Sequence, residues 1–207
     1  MPEQIEWLFF DIGSTLVDES RANEHRILDA IKNTNITYDQ AYMRAVELAK
    51  QKNAHPLKAL GLPLTPWHSE DETVYPQAAK CLSELHKQYK IGIIANQIPG
   101  TSERMRAYGL FPMLDLIVAS AEEGVEKPDP KIFQVALERA NCRPANAVMI
   151  GDRIDNDIFP AKKAGMRTIW IRQGFGGMAE NLTAEETPDH CVENLRELAD
   201  YLLSWED

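Results

Sequence analysis

Of the 207 residues only three are cysteines, Cys81, Cys142 and Cys191, widely spaced and without a Cys-x-x-Cys pair. Neither a disulfide framework nor a cysteine-based zinc site fits that spacing, and a reducing cytoplasm suits it best. Basic residues are also scarce, 22 against 32 acidic ones, for a formal net charge of −10. Such a balance opposes nonspecific attraction to nucleic acid and to anionic membrane surfaces, so an anionic substrate must find positive charge locally. No apolar run approaches the ~18 residues that a membrane helix needs. The opening Met1-Pro2-Glu3-Gln4-Ile5-Glu6 is acidic, unlike a secretory leader. No internal repeat or low-complexity tract is visible. The five histidines show no metal-ligand spacing and receive no functional assignment. Ser14 lacks the Gly-x-Ser-x-Gly frame of a hydrolase elbow and reads as a turn residue. Gly174-Phe175-Gly176-Gly177 lacks the Lys-Ser/Thr of a phosphate loop and reads as a flexible loop near the rim of a site.

What is present is ordinary globular material, 44% hydrophobic and 26% charged, enough for one medium domain or a domain with a small insertion. Five short apolar runs, at residues 5–10, 91–95, 116–120, 147–150 and 168–171, read as buried parallel strands. Segments with helical spacing lie between them at 78–89, 102–108, 130–140, 157–164 and 194–203. Alternation of this kind predicts an α/β fold, a Rossmann-like doubly wound parallel sheet. The rhythm breaks at residues 18–75, where 21–32 and 39–52 look helical and no convincing strand is found. Pro56, Gly61, Pro63, Pro66 and Pro76 punctuate the exit from that stretch, and 62–75 is expected to be irregular. The expected organisation is a core of residues 1–17 and 76–207 with a small helical cap inserted at 18–75.

In an open parallel sheet ligands bind beyond the carboxyl ends of the strands, which directs attention to the residue ending each apolar run. Asp11 follows Trp7-Leu8-Phe9-Phe10, and Asn96-Gln97 follow Ile93-Ile94-Ala95. Asp152 follows Met149-Ile150-Gly151, with Asp155 and Asp157 close behind, and Lys127 lies in Glu126-Lys127-Pro128-Asp129-Pro130. Each has a bland reading. A strand-ending Asp is commonly a turn or helix cap, acids before a helix suit its dipole, and a loop lysine is usually solvated.

Taken together and in this order, Asp11-Ile12-Gly13-Ser14-Thr15, Lys127-Pro128-Asp129-Pro130-Lys131-Ile132-Phe133 and Gly151-Asp152 with Asp157 resemble the haloacid dehalogenase superfamily of hydrolases. The likeness extends to Ala164-Gly165-Met166 and Pro188-Asp189-His190 near the end. By that resemblance Asp11 is the nucleophile that forms an aspartyl-phosphate. Asp11, the Gly13 carbonyl and Asp152 would ligate Mg²⁺, with Asp157 in support, and Lys127 would face the phosphate. The implied function is Mg²⁺-dependent hydrolysis of a small phosphorylated metabolite, a phosphate monoester; attack on carbon, as in the dehalogenases, is the weaker rival.

Two positions depart from the family pattern. Gly13 stands where most of its phosphatases carry the Asp that protonates the leaving oxygen and later activates water, help worth about 10²–10⁴-fold. Ala95 stands where a Thr or Ser hydroxyl contacts the phosphate. Asn96 or Gln97, with the N-terminus of the next helix, is expected to stand in for that hydroxyl. The alternative is a non-catalytic or weakly active member that binds phosphate or protein. If the missing acid limits the rate, Gly13→Asp is expected to raise kcat.

Overall fold

The computed structural model describes residues 4–206 except Asn53; residues 1–3 and 207 of the expected core, and Asn53 of the expected cap, lie outside the described residues. In chain order the elements are β1 (Trp7–Phe10), β2 (Val17–Asp18), α1 (Ser20–Ile31), α2 (Tyr38–Lys50), α3 (Pro56–Leu60) and β3 (Thr73–Val74). Then follow α4 (Ala78–Leu85), β4 (Lys90–Ala95), α5 (Thr101–Ala107), β5 (Leu116–Ala119), α6 (Ser120–Glu123) and α7 (Pro130–Arg139). The chain finishes with β6 (Ala147–Gly151), α8 (Phe159–Lys163), β7 (Arg167–Ile171), β8 (His190–Val192) and α9 (Leu195–Leu203).

All five apolar runs are strands. Side chains alternate across a strand, and here both faces are covered. Leu8, Phe10, Ile91, Ile93, Val148 and Ile150 pack on one side, beneath α4 and α9. Phe9, Ile94, Val118 and Met149 pack on the other, against Ile132, Phe133 and Ala136 of α7 and Ala161 of α8. Burial on both faces is why these strands read as continuous apolar runs rather than alternating ones. The sheet order is β5-β4-β1-β6-β7-β8, with every neighbouring pair parallel. From β1 the chain moves outward to β4 and β5, then returns to β6 on the other side of β1. The order therefore reverses around β1, and this switch point is where a doubly wound sheet opens a crevice.

Three expectations need correcting. A sixth strand, β8, was not expected, because His190-Cys191-Val192 is too short and polar to form an apolar run. The stretch thought free of strands holds β2 and β3, two-residue segments paired antiparallel as Val17↔Val74 and Asp18↔Thr73. These pinch the entry and exit of the insertion together. The proline-punctuated exit also contains a helix, α3, whose Pro56 sits in its first turn, where a missing N–H costs nothing.

Within the insertion, Ile27, Ala30, Ile31, Ala41 and Leu57 form a small core of their own, with Phe175 from the other part of the chain packed against it. Lys52 reaches Glu186 at 3.0 Å, and Glu180 N–H donates to the Lys50 carbonyl at 2.8 Å, tying α2 down. Thr37 starts α2 with a reciprocal cap: its hydroxyl accepts from Gln40 N–H and the Gln40 side chain accepts from Thr37 N–H. Thr37→Ala is expected to cost about 1 kcal/mol, a fall in Tm of roughly 2–4 °C for a chain of this size. Thermal unfolding with unchanged far-ultraviolet dichroism checks it; no shift would mean that α2 is held by packing alone.

Candidate active site

Beyond the carboxyl ends of β1, β4, β5 and β6 lies a cavity of about 450 Å³, reached by Asp11, Asn96, Lys127, Asp152 and Asp157, the chemical residues expected from the sequence. Gly13 lines it as well. Residues of the insertion, among them Glu19, Arg26, Trp67 and Glu72, complete its wall.

Asp11 leaves β1 with its N–H donating to the Ile150 carbonyl at 2.9 Å, so adjacent strand ends fix its backbone. Lys127 is buried, its side chain 2% exposed, and its ammonium donates to Asp11 Oδ1 at 2.7 Å and Asp157 Oδ1 at 2.6 Å. Burial alone would lower the Lys127 pKa, but Asp11 and Asp157 outweigh it and hold it above the ordinary lysine value. The bland reading of Lys127 as a solvated loop cation is therefore excluded.

Asp157 lies in a π-turn, Ile154–Ile158, and its Oδ2 accepts from Arg153 N–H at 2.9 Å. Gly151 allows that approach, since a Cβ there would lie 2.4 Å from Asp157 Oδ2, far inside contact distance. Asp155 points elsewhere and pairs with the Arg153 guanidinium.

Asp152 is different. It is buried, its backbone carbonyl accepts from Trp170 Nε1–H at 2.6 Å, and its carboxylate has no donor among the described residues. Burial, then the neighbouring charges of Asp157, Asp11 and Glu19, push its pKa up. Carboxylate oxygens of Asp11, Asp152 and Asp157 lie within 4.8 Å of one another. A buried carboxylate with acidic neighbours and no donor is costly unless a cation joins it. Three hard oxygen donors match a divalent cation such as Mg²⁺, so the residues present fit the metal that the resemblance implies.

Asn96 is more constrained than its sequence position suggests. Its Oδ1 accepts from Lys127 N–H at 2.7 Å and its Nδ2 donates to the Lys127 carbonyl at 2.8 Å, so it clamps the backbone that carries the ammonium. Gln97 is likewise engaged, receiving Arg104 at its Oε1. At the helix following β4, Gly100 and Thr101 N–H both donate to Glu122. Of the expected substitutes for the hydroxyl lost at Ala95, the second N–H of the Asn96 amide and the Nε2 amide of Gln97, whose residue also lines the cavity, remain as donors. Gly176, in the stretch read as a flexible loop, is buried in a 3₁₀ turn, Gly176–Met178, that backs onto Asp152.

Two residues of the cavity wall were not singled out in the sequence. Arg26 is buried on α1, its guanidinium over the Trp67 ring at 5.1 Å, and its Nε has no hydrogen-bond partner among the described residues. Glu19 is partly buried just before α1, and burial followed by the charges of Asp11 and Glu72 pushes its pKa up to about 8. Neither belongs to a recognisable motif. Both enter the site because β2 and β3 swing the start of α1 over the strand ends.

A family model described as HAD-hydrolase-like matches residues 125–198. Glyceraldehyde 3-phosphate phosphatase of Pyrococcus furiosus is 33% identical over 96% of this chain and 93% of its own length. Phosphoserine phosphatase of Thermus thermophilus is 32% identical over 60% of this chain and 49% of its own. Among solved structures, a HAD phosphatase from Thermococcus onnurineus superimposes with a TM-score of 0.65 at 24% identity, covering 96% of this chain and 98% of that one.

Proposed function

The chain belongs to the haloacid dehalogenase-like hydrolases and is a phosphatase-type enzyme, and we propose that it hydrolyses a small phosphate monoester with Asp11 as nucleophile and Mg²⁺ as metal. The observation that carries this reading is the pairing of Asp11 with a buried lysine beside a donor-free Asp152, all opening on one cavity at the switch point. A scaffold that merely binds protein gains nothing from burying such charges, since an apolar replacement is often as stable.

Asp11 attacks phosphorus in line, the ester oxygen departs, and water then attacks phosphorus to release phosphate and free the carboxylate. Lys127, ion-paired with Asp11, draws the incoming anion. Asn96 fixes the Lys127 backbone and has one amide N–H left for a phosphate oxygen. Asp11, the Gly13 carbonyl and Asp152 would hold Mg²⁺, which offsets repulsion between the two anions; Asp157, already bound to Lys127 and Arg153 N–H, supports from behind. Residues 18–75 act as the cap over a core of 1–17 and 76–207. Arg26, which lines the cavity, offers that cap a cation for the substrate's non-phosphate end. The names of the two relatives point to a small phosphorylated metabolite. Among the described residues no helix is long and apolar enough to cross a membrane, and with its unpaired cysteines we place the enzyme in a reducing cytoplasm.

The test is turnover of a panel of small phosphate monoesters. Phosphate release is expected with Mg²⁺, to stop with chelator, and Mg²⁺ is expected to raise the Tm of the wild type but not of Asp152→Asn. No release from any ester with Mg²⁺ present overturns the reading.

A further inference from the structure

Cleaving an alkyl phosphate leaves an alkoxide that needs a proton, and the water that follows must lose one. Neither task suits Lys127, whose ammonium is engaged by two carboxylates, nor Glu72, which receives Trp67 Nε1–H and the Tyr108 hydroxyl. Nor does it suit His55, whose Nδ1 caps α3 by accepting from Lys58 N–H and whose imidazole is kept neutral by burial and by Arg26 and Lys58, its pKa lowered to about 4. The backbone at residue 13, two past the nucleophile, brings no side chain, yet the space beside it is filled. A Cβ on residue 13 would lie 2.2 Å from Glu19 Oε1 and 2.7 Å from its Cδ. Glu19 precedes α1 but makes no side-chain cap for that helix; Asp18 accepts from Ser20 N–H instead. Its carboxyl is turned back into the cavity, where Oε2 accepts from the Ser14 hydroxyl at 3.2 Å and, among the described residues, no arginine or lysine bonds to it.

We propose that Glu19, reaching in from the first residue before α1 to the room left by Gly13, is the proton donor and acceptor of the reaction. The assignment rests on the phosphatase reading above. As Asp11 forms its bond to phosphorus and the P–O ester bond breaks, the Glu19 carboxylic acid gives its proton to the departing oxygen. The resulting carboxylate then takes a proton from the water that attacks the aspartyl-phosphate, which restores the acid and frees Asp11 and inorganic phosphate. Protons and charges balance over the cycle with water as the sole co-reactant. A glycine at 13 then makes room for an acid supplied from elsewhere in the chain, and the expectation that Gly13→Asp raises kcat is reversed: the new carboxylate collides with Glu19.

The test compares Glu19→Gln, Glu19→Ala and the double variant Gly13→Asp/Glu19→Ala on an alkyl phosphate and on 4-nitrophenyl phosphate, whose leaving group needs no proton. Glu19→Gln is expected to lose about 10²–10⁴-fold in kcat on the alkyl ester. On the aryl ester it should give a stoichiometric burst of nitrophenol followed by slow turnover. The double variant, with its carboxylate returned to residue 13, is expected to recover activity over Glu19→Ala, whereas Gly13→Asp alone should show no gain over the wild type. Wild-type kcat in Glu19→Gln on the alkyl ester, or equal losses on both esters without a burst or recovery in the double variant, overturns the assignment. Absence of turnover in the wild type would instead remove the phosphatase reading on which it rests.

Discussion

Lys127→Met is expected to damage both folding and turnover, because a single ammonium compensates two carboxylates at a site that is 2% exposed. Removing one partner of a buried ion pair costs about 3–5 kcal/mol, and here Asp11 and Asp157 are left facing Asp152 with no cation among them. At roughly 2–4 °C per kcal/mol for this chain length, the fall in Tm without metal should be about 6–20 °C. Mg²⁺ should restore part of it, since a divalent ion relieves the same repulsion. Activity should not return with the metal, because the charge facing the phosphate is still missing. Lys127→Arg is not expected to rescue either property, because a planar guanidinium does not reproduce the compact ammonium held between Asp11 and Asp157. Calorimetry with and without Mg²⁺, beside phosphate release, separates the two effects. A variant as stable as the wild type would mean that the three carboxylates do not burden the fold.

The second large effect concerns Asp11→Asn. The amide keeps the shape of the carboxylate and can still accept from Lys127, so folding should survive, with a modest loss of Tm. Turnover should fall by at least about 10³-fold, since the remaining residues can bind and polarise but cannot form the covalent intermediate. The site then resembles the binding module that was the rival reading of the sequence. Substrate binding to this variant in the presence of Mg²⁺ would mark Asp11 as chemical rather than merely structural.

How much of this could be read before the fold was seen differs from residue to residue. The strands were plain because both faces of the sheet are covered and their runs are uniformly apolar. Asp11 and Asp152 were plain because each follows a strand in a short local pattern, and Lys127 because it opens the Lys127-Pro128-Asp129-Pro130 pattern before α7; the fold then brings all three together. β8 was hidden since three residues at an edge, one of them exposed, need no apolar run. β2 and β3 were hidden because two-residue strands carry no periodicity at all. The grip of Asn96 on Lys127 spans 31 positions, a contact that no local pattern encodes.

Glu19 shows the limit most clearly. A family pattern counts two residues from the nucleophile and finds glycine, and from that count the proton-transfer position is empty. The fold instead counts through space: the pairing of β2 with β3 turns the chain at Asp18 and delivers the carboxyl of Glu19 against Gly13. The steric signal at Gly13 is invisible in the sequence because the neighbour that enforces it lies six residues further on.

The central claim is that Asp11 carries the phosphoryl group between substrate and water. Wild-type enzyme quenched during turnover of a small phosphate ester with Mg²⁺, then digested and weighed by mass spectrometry, tests it directly. The expected result is a transient phosphoryl mass on the peptide containing Asp11, longer-lived in Glu19→Gln and absent in Asp11→Asn. Steady phosphate release with that mass on another peptide, or on none, would contradict the account.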